Sequence, residues 1–280
     1  MIFLSTGGFK NKTAFESACL YNSYKIKNVE LSAGKFSPNI KNELKILKKM
    51  AKIKLHNYFP PPEKPIVLNL CSTNRNNISK TISHIKNSII LTNKIDGKYF
   101  SFHAGFRFDP MVSQLGKKMS KKKLLDKKIA YKLFRKRIIY LNKFAKKYKV
   151  KLLIENNVIS KKNIKVFGEN PFLLTNPKEI IDFFRDLDPN VGLLLDVAHL
   201  KVSSNSEKFN LIEGYKKIYP LIDAFHLSDN NGEEDSNSII KKNSWFLKRL
   251  KKNLDYYSIE VYIDDIKKLK KQIELVNKYL

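Results

Sequence analysis

Five short apolar segments of the chain each end in a side chain that can bind a metal ion. The segments span 99–103, 151–155, 192–196, 222–226 and 257–260, and they end in His103, Glu155, Asp196, His226 and Glu260. A charged group or an imidazole at the end of a buried strand is costly to bury without a partner. Carboxylates and imidazoles together bind hard to borderline divalent ions. The spacing therefore predicts one shared site for a divalent metal ion such as Mn²⁺, Mg²⁺, Zn²⁺ or Fe²⁺.

The histidines of the chain follow the same pattern. Of the five histidines, only His84 falls inside a predicted helix. The other four lie at or just beyond the end of a predicted strand: His56, His103, His199 and His226. A single histidine is usually a structural residue, but four of them beside three carboxylates at strand ends indicate a binding site.

Strand-like and helix-like segments alternate along the whole chain. Predicted strands cover 2–6, 28–32, 53–57, 99–103, 151–155, 192–196, 222–227 and 257–261. Segments with helical periodicity lie between them, at 12–24, 40–52, 77–94, 121–148, 177–187, 206–218, 240–252 and 263–278. These repeats predict one α/β domain over residues 1–280, a closed (β/α)8 TIM barrel whose strands end around one site. An open doubly wound sheet is the alternative, but its ligand groups cluster at a single switch point.

The chain is strongly basic. It has 54 Lys and Arg residues against 26 Asp and Glu residues, which gives a net charge of +28. Only six of the basic residues are Arg, the residue best suited to bidentate recognition of phosphate or guanine. The densest stretch, 117–151, has apolar residues at helical spacing. We therefore predict an outer helix with a solvated Lys face, and at most weak, non-specific binding of nucleic acid.

Neither a membrane segment nor an export signal is evident in the sequence. No apolar run approaches the roughly 20 residues that span a bilayer, and the first residues lack the pattern of a signal peptide. The two cysteines, Cys19 and Cys71, have no paired spacing that would indicate a disulfide framework. We expect a cytoplasmic protein with no membrane partner, and the oligomeric state stays open.

Four short motifs follow one another along most of the chain: Ile154-Glu155-Asn156, Asp196-Val-Ala-His199, His226-Leu-Ser-Asp229 and Ile259-Glu260-Val261. Their order resembles the xylose isomerase-like barrel superfamily. This superfamily contains sugar isomerases and epimerases and also the endonuclease IV type of abasic-site nuclease. The resemblance implies a (β/α)8 barrel and a metal-dependent enzyme.

The epimerase-like members of the superfamily hold one divalent metal with a Glu, an Asp, a His and a second Glu. The resemblance implies the same metal ligands here: Glu155, Asp196, His226 and Glu260. It also implies that Glu155 and Glu260 are the catalytic acid and base, one of which removes a proton next to a polarised carbonyl. His199 would bind oxygens of the substrate. We therefore expect a metal-dependent isomerase or epimerase that acts on a small carbohydrate.

The nuclease-like members provide the alternative, a metal-dependent phosphodiesterase acting on abasic DNA. They hold up to three zinc ions, with added ligands after the third and fourth strands that His56 and His103 match. Their third zinc needs a later Asp-x-His, where this chain has Asp235 and Asn237, and a neutral amide is a poor zinc ligand. We expect one or two ions, with three as the upper limit. A barrel that only binds sugar-like molecules is a third hypothesis.

Several other residues are candidates for contacting a substrate, each with a structural alternative. Glu30 ends a predicted strand and would bind a substrate hydroxyl or form a salt bridge at the rim. Arg107 would bind a phosphate or carboxylate, or be an ordinary surface residue. Asp229 and Asp235 lie in a loop where turn formation explains many such residues, although loops on this face of a barrel carry function.

Overall fold

The computed structural model describes residues 1–9, 11–114 and 119–280. Its strands are β1 (Ile2–Ser5), β2 (Asn28–Leu31), β3 (Lys52–His56), β4 (Tyr99–His103), β5 (Lys151–Glu155), β6 (Val191–Asp196), β7 (Ile222–Leu227) and β8 (Tyr257–Ile259). Each strand pairs in parallel with the next one along the chain, and β8 pairs with β1 to close the sheet. The predicted single-domain (β/α)8 TIM barrel is therefore confirmed.

Helices surround the barrel on the outside. Within the described residues they are α1 (Ala14–Ser23), α2 (Ile40–Met50), α3 (Arg75–Lys94), α4 (Lys127–Lys147), α5 (Lys161–Phe167), α6 (Pro177–Phe184), α7 (Val197–Glu207), α8 (Leu211–Ile218) and α9 (Ile266–Asn277). Two of them begin later than the predicted starts at 121 and 206, because a capping side chain sets the first turn. Asp126 accepts a hydrogen bond from the amide of Ile129 at the start of α4. Asn210 accepts bonds from two amides at the start of α8.

The helix predicted at 240–252 was wrong. This segment is irregular apart from one 3-10 turn at Leu247–Arg249. The Ser244 hydroxyl accepts a hydrogen bond from the amide of Lys241 and donates one to the Asp229 carboxylate at 2.6 Å. Such local side-chain bonds compete with a helical backbone. Helices α5 and α7 were missed, and α7 follows β6 directly with Asp196 as its cap.

The interior of the barrel is filled with apolar side chains below the strand ends. A compact cluster is formed there by Phe3, Leu153, Leu194, Ala224 and Tyr256. A much larger apolar layer packs between the strands and the helices. The polar side chains at the ends of the strands therefore pack against closely packed apolar side chains, which limit their movement.

Helix α4 carries the predicted Lys face. Lys128, Lys132 and Lys136 are exposed at intervals of four residues, while Phe134 and Ile138 are buried against the barrel. The first residues of the Lys-rich stretch, 117 and 118, lie outside the described residues. Within the described part of the chain, no helix has both the length and the apolar character that crossing a membrane requires.

We expect Phe134→Ala to destabilise the protein by about 3–5 kcal/mol, the usual cost of emptying an aromatic core position. Phe134 is fully buried and stacks on Phe183 with ring centroids 5.1 Å apart. Urea unfolding would measure the change. Phe36→Ala is the control, because Phe36 is exposed, and it should change stability by no more than about 0.5 kcal/mol. Equal effects of the two substitutions would contradict the described packing.

Candidate metal centre

Four side chains from four neighbouring strands meet at the carboxyl end of the barrel. Each of them offers one ligand atom, and these atoms all lie within 4.8 Å of one another: Glu155, Asp196, His226 and Glu260. The strand register explains the meeting, since Asp196 lies directly beside His226 in the pairing of β6 with β7. His226 Nδ1 lies 3.4 Å from Glu155 Oε1 and 3.1 Å from Glu260 Oε2. The structure thus brings together the four residues that the sequence singled out as ligands.

The two oxygens of Asp196 face different partners. Oδ1 accepts a hydrogen bond of 2.7 Å from the amide of His199 and so caps helix α7. The backbone of Asp196 is held by Asn156, whose side chain both accepts from its amide and donates to its carbonyl. Oδ2 has no hydrogen-bond partner among the described residues. The cap and the Asn156 contacts fix this carboxylate, which leaves one oxygen available to a ligand.

Several buried polar atoms of this cluster lack hydrogen-bond partners among the residues that the structure describes. They are both carboxylate oxygens of Glu155, Oδ2 of Asp196 and Nδ1 of His226. A buried polar atom without a partner costs about 1–3 kcal/mol, and more when it is charged. In their deprotonated forms, all of these atoms are electron-pair donors that point into one cluster. A divalent cation would satisfy them together, so the residues present fit the metal that the motifs imply.

The buried groups strongly perturb one another's protonation. Burial, together with the nearby carboxylates of Asp235, Glu155 and Glu260, raises the pKa of Asp196 to about 7 against the opposing charge of His199. Burial lowers the pKa of His226, but its carboxylate neighbours outweigh burial and hold the pKa well above the usual value. Two of the four candidate ligands therefore carry protons near neutral pH when no cation is present.

We expect the metal affinity to rise with pH. A ligating imidazole must be neutral and a ligating carboxylate ionised, so a bound cation displaces the protons of His226 and Asp196. Affinity should increase by about tenfold per pH unit for each proton released. Competition titration of Zn²⁺ against a chelator, from mildly acidic to mildly basic pH, measures this slope. A flat profile would show that the two groups are not ligands.

A second group of potential ligands shares Glu155. His56, His103 and Glu155 also offer ligand atoms within 4.8 Å of one another. His56 Nε2 and His103 Nδ1 each lie 3.3 Å from Glu155 Oε2. Burial lowers the pKa of His103 to about 4 against the attraction of Glu155, so this ring is neutral and able to ligate. Glu155 lies between the two groups.

His199 lies beside the cluster and contacts Asp235. His199 Nδ1 donates to the carbonyl of Asn156 at 2.8 Å, and Nε2 lies 3.2 Å from Asp235 Oδ2. Burial lowers the pKa of His199, but Asp196 and Asp235 outweigh burial and hold the pKa well above the usual value. Asn237, which stands where the nuclease pattern has a His, donates its amide to the carbonyl of Glu260.

Two of the predicted substrate contacts are engaged elsewhere. The Arg107 guanidinium is buried and bonded to Glu169 at 2.6 Å and to the carbonyls of two other loop residues. Asp229 pairs with Lys201 at 2.7 Å and accepts a bond from Ser244. Arg107 and Asp229 therefore hold loops together, and neither belongs to the cluster.

Glu30 differs most from its sequence-based prediction. Its side chain is completely buried, so it is shielded from a substrate and forms no salt bridge at the rim. Glu30 Oε2 accepts hydrogen bonds from His226 Nε2 at 2.9 Å and from the Tyr256 hydroxyl. Burial raises the pKa of Glu30, but the charge of His226 and these bonds outweigh burial and lower it to about 2.

Three polar residues around the cluster were not predicted from the sequence: Ser101, Tyr256 and Tyr262. Ser101 Oγ contacts His56 Nδ1 at 2.9 Å and the Tyr256 hydroxyl at 3.2 Å. The Tyr262 hydroxyl donates to Glu260 Oε1 at 2.8 Å. The alternation of side chains along a strand was the available signal, because Ser101 precedes His103 by two residues and Tyr256 precedes Glu260 by four.

Comparisons with known proteins agree with the barrel fold. No curated protein matches the sequence. A D-tagatose 3-epimerase-like protein superposes with a TM-score of 0.72 and 20% identity, covering 99% of this chain and 98% of the other. D-psicose 3-epimerase from Clostridium cellulolyticum H10, solved with D-tagatose, has a TM-score of 0.66 and 13% identity over 99% and 97% of the two chains. The TTHB071 protein from Thermus thermophilus, soaked with ZnCl2, has a TM-score of 0.65 and 15% identity over 99% and 98%.

Because these sequence identities are low, the similarities establish the fold alone. A family model for the xylose isomerase-like TIM barrel matches residues 23–272. That span includes all four candidate ligands of the cluster and the strands that carry them. The chain belongs to the xylose isomerase-like TIM barrel family.

Proposed function

We propose that this protein is a divalent-metal-dependent isomerase or epimerase of a sugar or sugar derivative. The observation that carries the proposal is the meeting of Glu155, Asp196, His226 and Glu260, with ligand atoms within 4.8 Å of one another. Their unpartnered buried atoms, in the part of the chain that the structure describes, favour a cation there. The similar structures named for sugar epimerases support a small carbohydrate as the substrate.

The two glutamates of the cluster are suited to moving a proton. A divalent cation held by these residues would polarise the carbonyl and hydroxyl oxygens of a sugar and make the C–H bond between them more acidic. Glu155 and Glu260 both lie beside His226 Nδ1, at 3.4 and 3.1 Å. The Glu155 side chain is completely buried, whereas that of Glu260 is 10% exposed. Glu260 can therefore exchange a proton with water, while Glu155 is shielded from it.

His199 and Asp235 extend the polar surface beside the glutamates. His199 lies 3.6 Å from Glu155 Oε1 and holds Asp235 on its other side. Both nitrogens of His199 are engaged, by the Asn156 carbonyl and by Asp235, whereas the Asp235 carboxylate can accept hydrogen bonds from hydroxyl groups. Asp235, held in place by His199, would therefore orient the substrate hydroxyls and fix which carbon faces the two glutamates.

Proton exchange in heavy water tests the proposal. The Zn²⁺- or Mn²⁺-loaded protein is incubated in D₂O with ketoses of five and six carbons, with and without a phosphate group. We expect deuterium to appear in one substrate at the carbon next to the carbonyl, detected by NMR. Absence of exchange with every member of this panel, in protein shown to hold metal, would contradict the proposal.

The second candidate function is a phosphodiesterase of the endonuclease IV type that acts on abasic DNA. It is favoured by one observation, the group of His56, His103 and Glu155, which suits a second metal ion. Two ions a few ångströms apart are common in enzymes that cleave phosphodiesters.

The aromatic residues after β3 do not favour the nuclease. Phe59 is completely buried, and Tyr58 stacks on His84 while its hydroxyl accepts a hydrogen bond from the amide of Ile66. Neither ring is free to insert between base pairs, as wedge residues of DNA-binding proteins do. We therefore rank the isomerase above the nuclease.

We expect binding to DNA to be weak and insensitive to an abasic site. A diffuse Lys surface binds phosphates by releasing counterions, so its affinity falls steeply between low and physiological salt. A salt titration with matched intact and abasic duplexes, followed by fluorescence anisotropy, measures both properties. Selective binding or cleavage of the abasic duplex that is lost in His56→Ala or His103→Ala would reverse the ranking of the two functions.

A further inference from the structure

One chain of buried hydrogen bonds connects the outer nitrogens of two histidines in the metal centre. Glu30 Oε2 contacts His226 Nε2 at 2.9 Å and the Tyr256 hydroxyl. The Tyr256 hydroxyl contacts Ser101 Oγ at 3.2 Å, and Ser101 Oγ contacts His56 Nδ1 at 2.9 Å. All five side chains are buried, so water does not compete for these bonds.

The direction of every bond in this chain follows from Glu30. An ionised carboxylate only accepts hydrogen bonds, so the Tyr256 hydroxyl must donate its single proton to Glu30. Tyr256 can then only accept from Ser101, and Ser101 in turn can only accept from Nδ1–H of His56. By the same rule, His226 donates Nε2–H to Glu30.

The nitrogens left for a metal ion are the ones that face Glu155. With its proton on Nδ1, His56 turns an unprotonated Nε2 toward Glu155 Oε2 at 3.3 Å. The electron pairs of these two atoms repel, and a cation between them removes the repulsion. His226 keeps its Nε2 proton for Glu30, so Nδ1, which lies 3.4 Å from Glu155 Oε1, is the nitrogen that gives up its proton to a cation. A histidine that ligates a metal commonly donates its other N–H to a carboxylate.

We propose that Glu30 is a positioning residue. Through Tyr256 and Ser101 it holds the proton of His56 on Nδ1, and by its direct bond it holds a proton of His226 on Nε2, so that His56 Nε2 and His226 Nδ1 are the nitrogens left for a cation beside Glu155. The inference rests on the proposed metal centre for its purpose, but the proton positions exist without metal. It assigns Glu30 a role behind the ligands in place of the predicted contact with substrate.

The test is NMR of the histidine ring nitrogens in ¹⁵N-labelled protein. The spectra are recorded at a pH where the His56 ring is neutral, so that its one proton resides on a single nitrogen. We expect Nδ1–H in metal-free wild-type protein. In Tyr256→Phe the chain ends at Ser101, whose hydroxyl is free to rotate, and the His56 signals should shift toward a mixture of the two forms. His56 with Nε2–H in the wild type would overturn the inference.

Zinc affinity, measured by chelator competition, is the second measurement. Partners behind metal ligands commonly contribute about 10–100-fold to affinity, so we expect a loss of that size in Glu30→Gln and a smaller loss in Tyr256→Phe. Ser101→Ala keeps the Glu30–His226 bond and removes only the link to His56. If Glu30→Gln does not fold, Ser101→Ala therefore tests the link to His56 in its place.

Tyr257→Phe is the matched control. Tyr257 is a buried tyrosine next in sequence, and its hydroxyl bonds to the carbonyl of Lys251, outside this chain of bonds. The control should keep both the wild-type NMR signals and the wild-type zinc affinity. Equal loss in Tyr256→Phe and Tyr257→Phe would overturn the inference, because it would show a general effect of removing a buried hydroxyl.

Two outcomes separate this inference from the proposed function. If the wild type shows Nδ1–H on His56 but binds no zinc, the bond chain is supported and the metal-dependent function fails. If zinc binds His226 through Nε2, that nitrogen carries no proton for Glu30 and the inference fails. Glu30, His56 and His226 also have ligand atoms within 4.8 Å of one another, so a zinc ion could bind among them. The histidine nitrogen that binds zinc would distinguish that site from the proposed one.

Discussion

Glu155→Gln is expected to remove both catalysis and the tightly bound metal. Glu155 is the one residue common to the two clusters, with Oε1 facing His226 and Oε2 facing His56 and His103. Glutamine keeps the shape of the side chain but loses the charge that attracts a cation into a buried site. Turnover should fall by about 10²–10⁴-fold for the loss of a catalytic acid or base alone. Elemental analysis should find less metal per chain than the one or two ions expected in the wild type.

The control for this substitution is Glu274→Gln on the exposed surface of helix α9, which makes the same chemical change far from the cluster. It should keep the wild-type metal content and activity. A Glu155→Gln protein that folds and still holds the wild-type amount of metal would contradict the shared position of Glu155. Circular dichroism of both variants separates loss of metal from loss of fold.

Glu260→Gln is expected to abolish turnover with a smaller loss of metal. Glu260 belongs to only one of the two clusters, and its partly exposed carboxylate is the candidate for exchanging protons with water. A neutral amide can accept a hydrogen bond from Tyr262 as the carboxylate does, but it cannot act as a base. The rate of deuterium exchange into the substrate should fall by about 10²–10⁴-fold.

Glu260→Asp provides the comparison, because it keeps a carboxylate on a shorter side chain. It should recover part of the exchange rate that Glu260→Gln loses. Full exchange in Glu260→Gln would exclude Glu260 as the base and leave Glu155 as the candidate. Melting temperatures of the two variants would show whether the fold is retained.

The strands and the polar side chains that meet at their ends were predictable because both depend on local sequence. A short apolar run that ends in Glu155 or Asp196 contains its own signal, since the run must be buried and the charged group must find a partner. The family motifs then fixed their order. Helix ends were less predictable, because a single cap such as Asp126 overrides a longer periodic pattern.

The roles of Arg107 and Glu30 were not predictable in this way, because their partners are distant in sequence. Arg107 bonds to Glu169, 62 residues away, and Glu30 bonds to Tyr256, 226 residues away. No local pattern identifies such pairs. Charged residues near a predicted site therefore cannot be distinguished in the sequence, whether they contact the substrate or form hydrogen bonds to the candidate ligands.

The two contacts of the Asp196 carboxylate link the candidate metal centre to the stability of helix α7. One oxygen closes the first turn of α7 and the other points into the cluster. A cation that immobilises this carboxylate therefore also opposes fraying of the helix, and a frayed helix would release a ligand. Metal binding therefore opposes local unfolding of α7. A metal ion that binds only the folded state raises the stability of that state by mass action. In amide hydrogen exchange, the first turn of α7 would report on metal occupancy, although its backbone amides are not among the candidate ligand atoms.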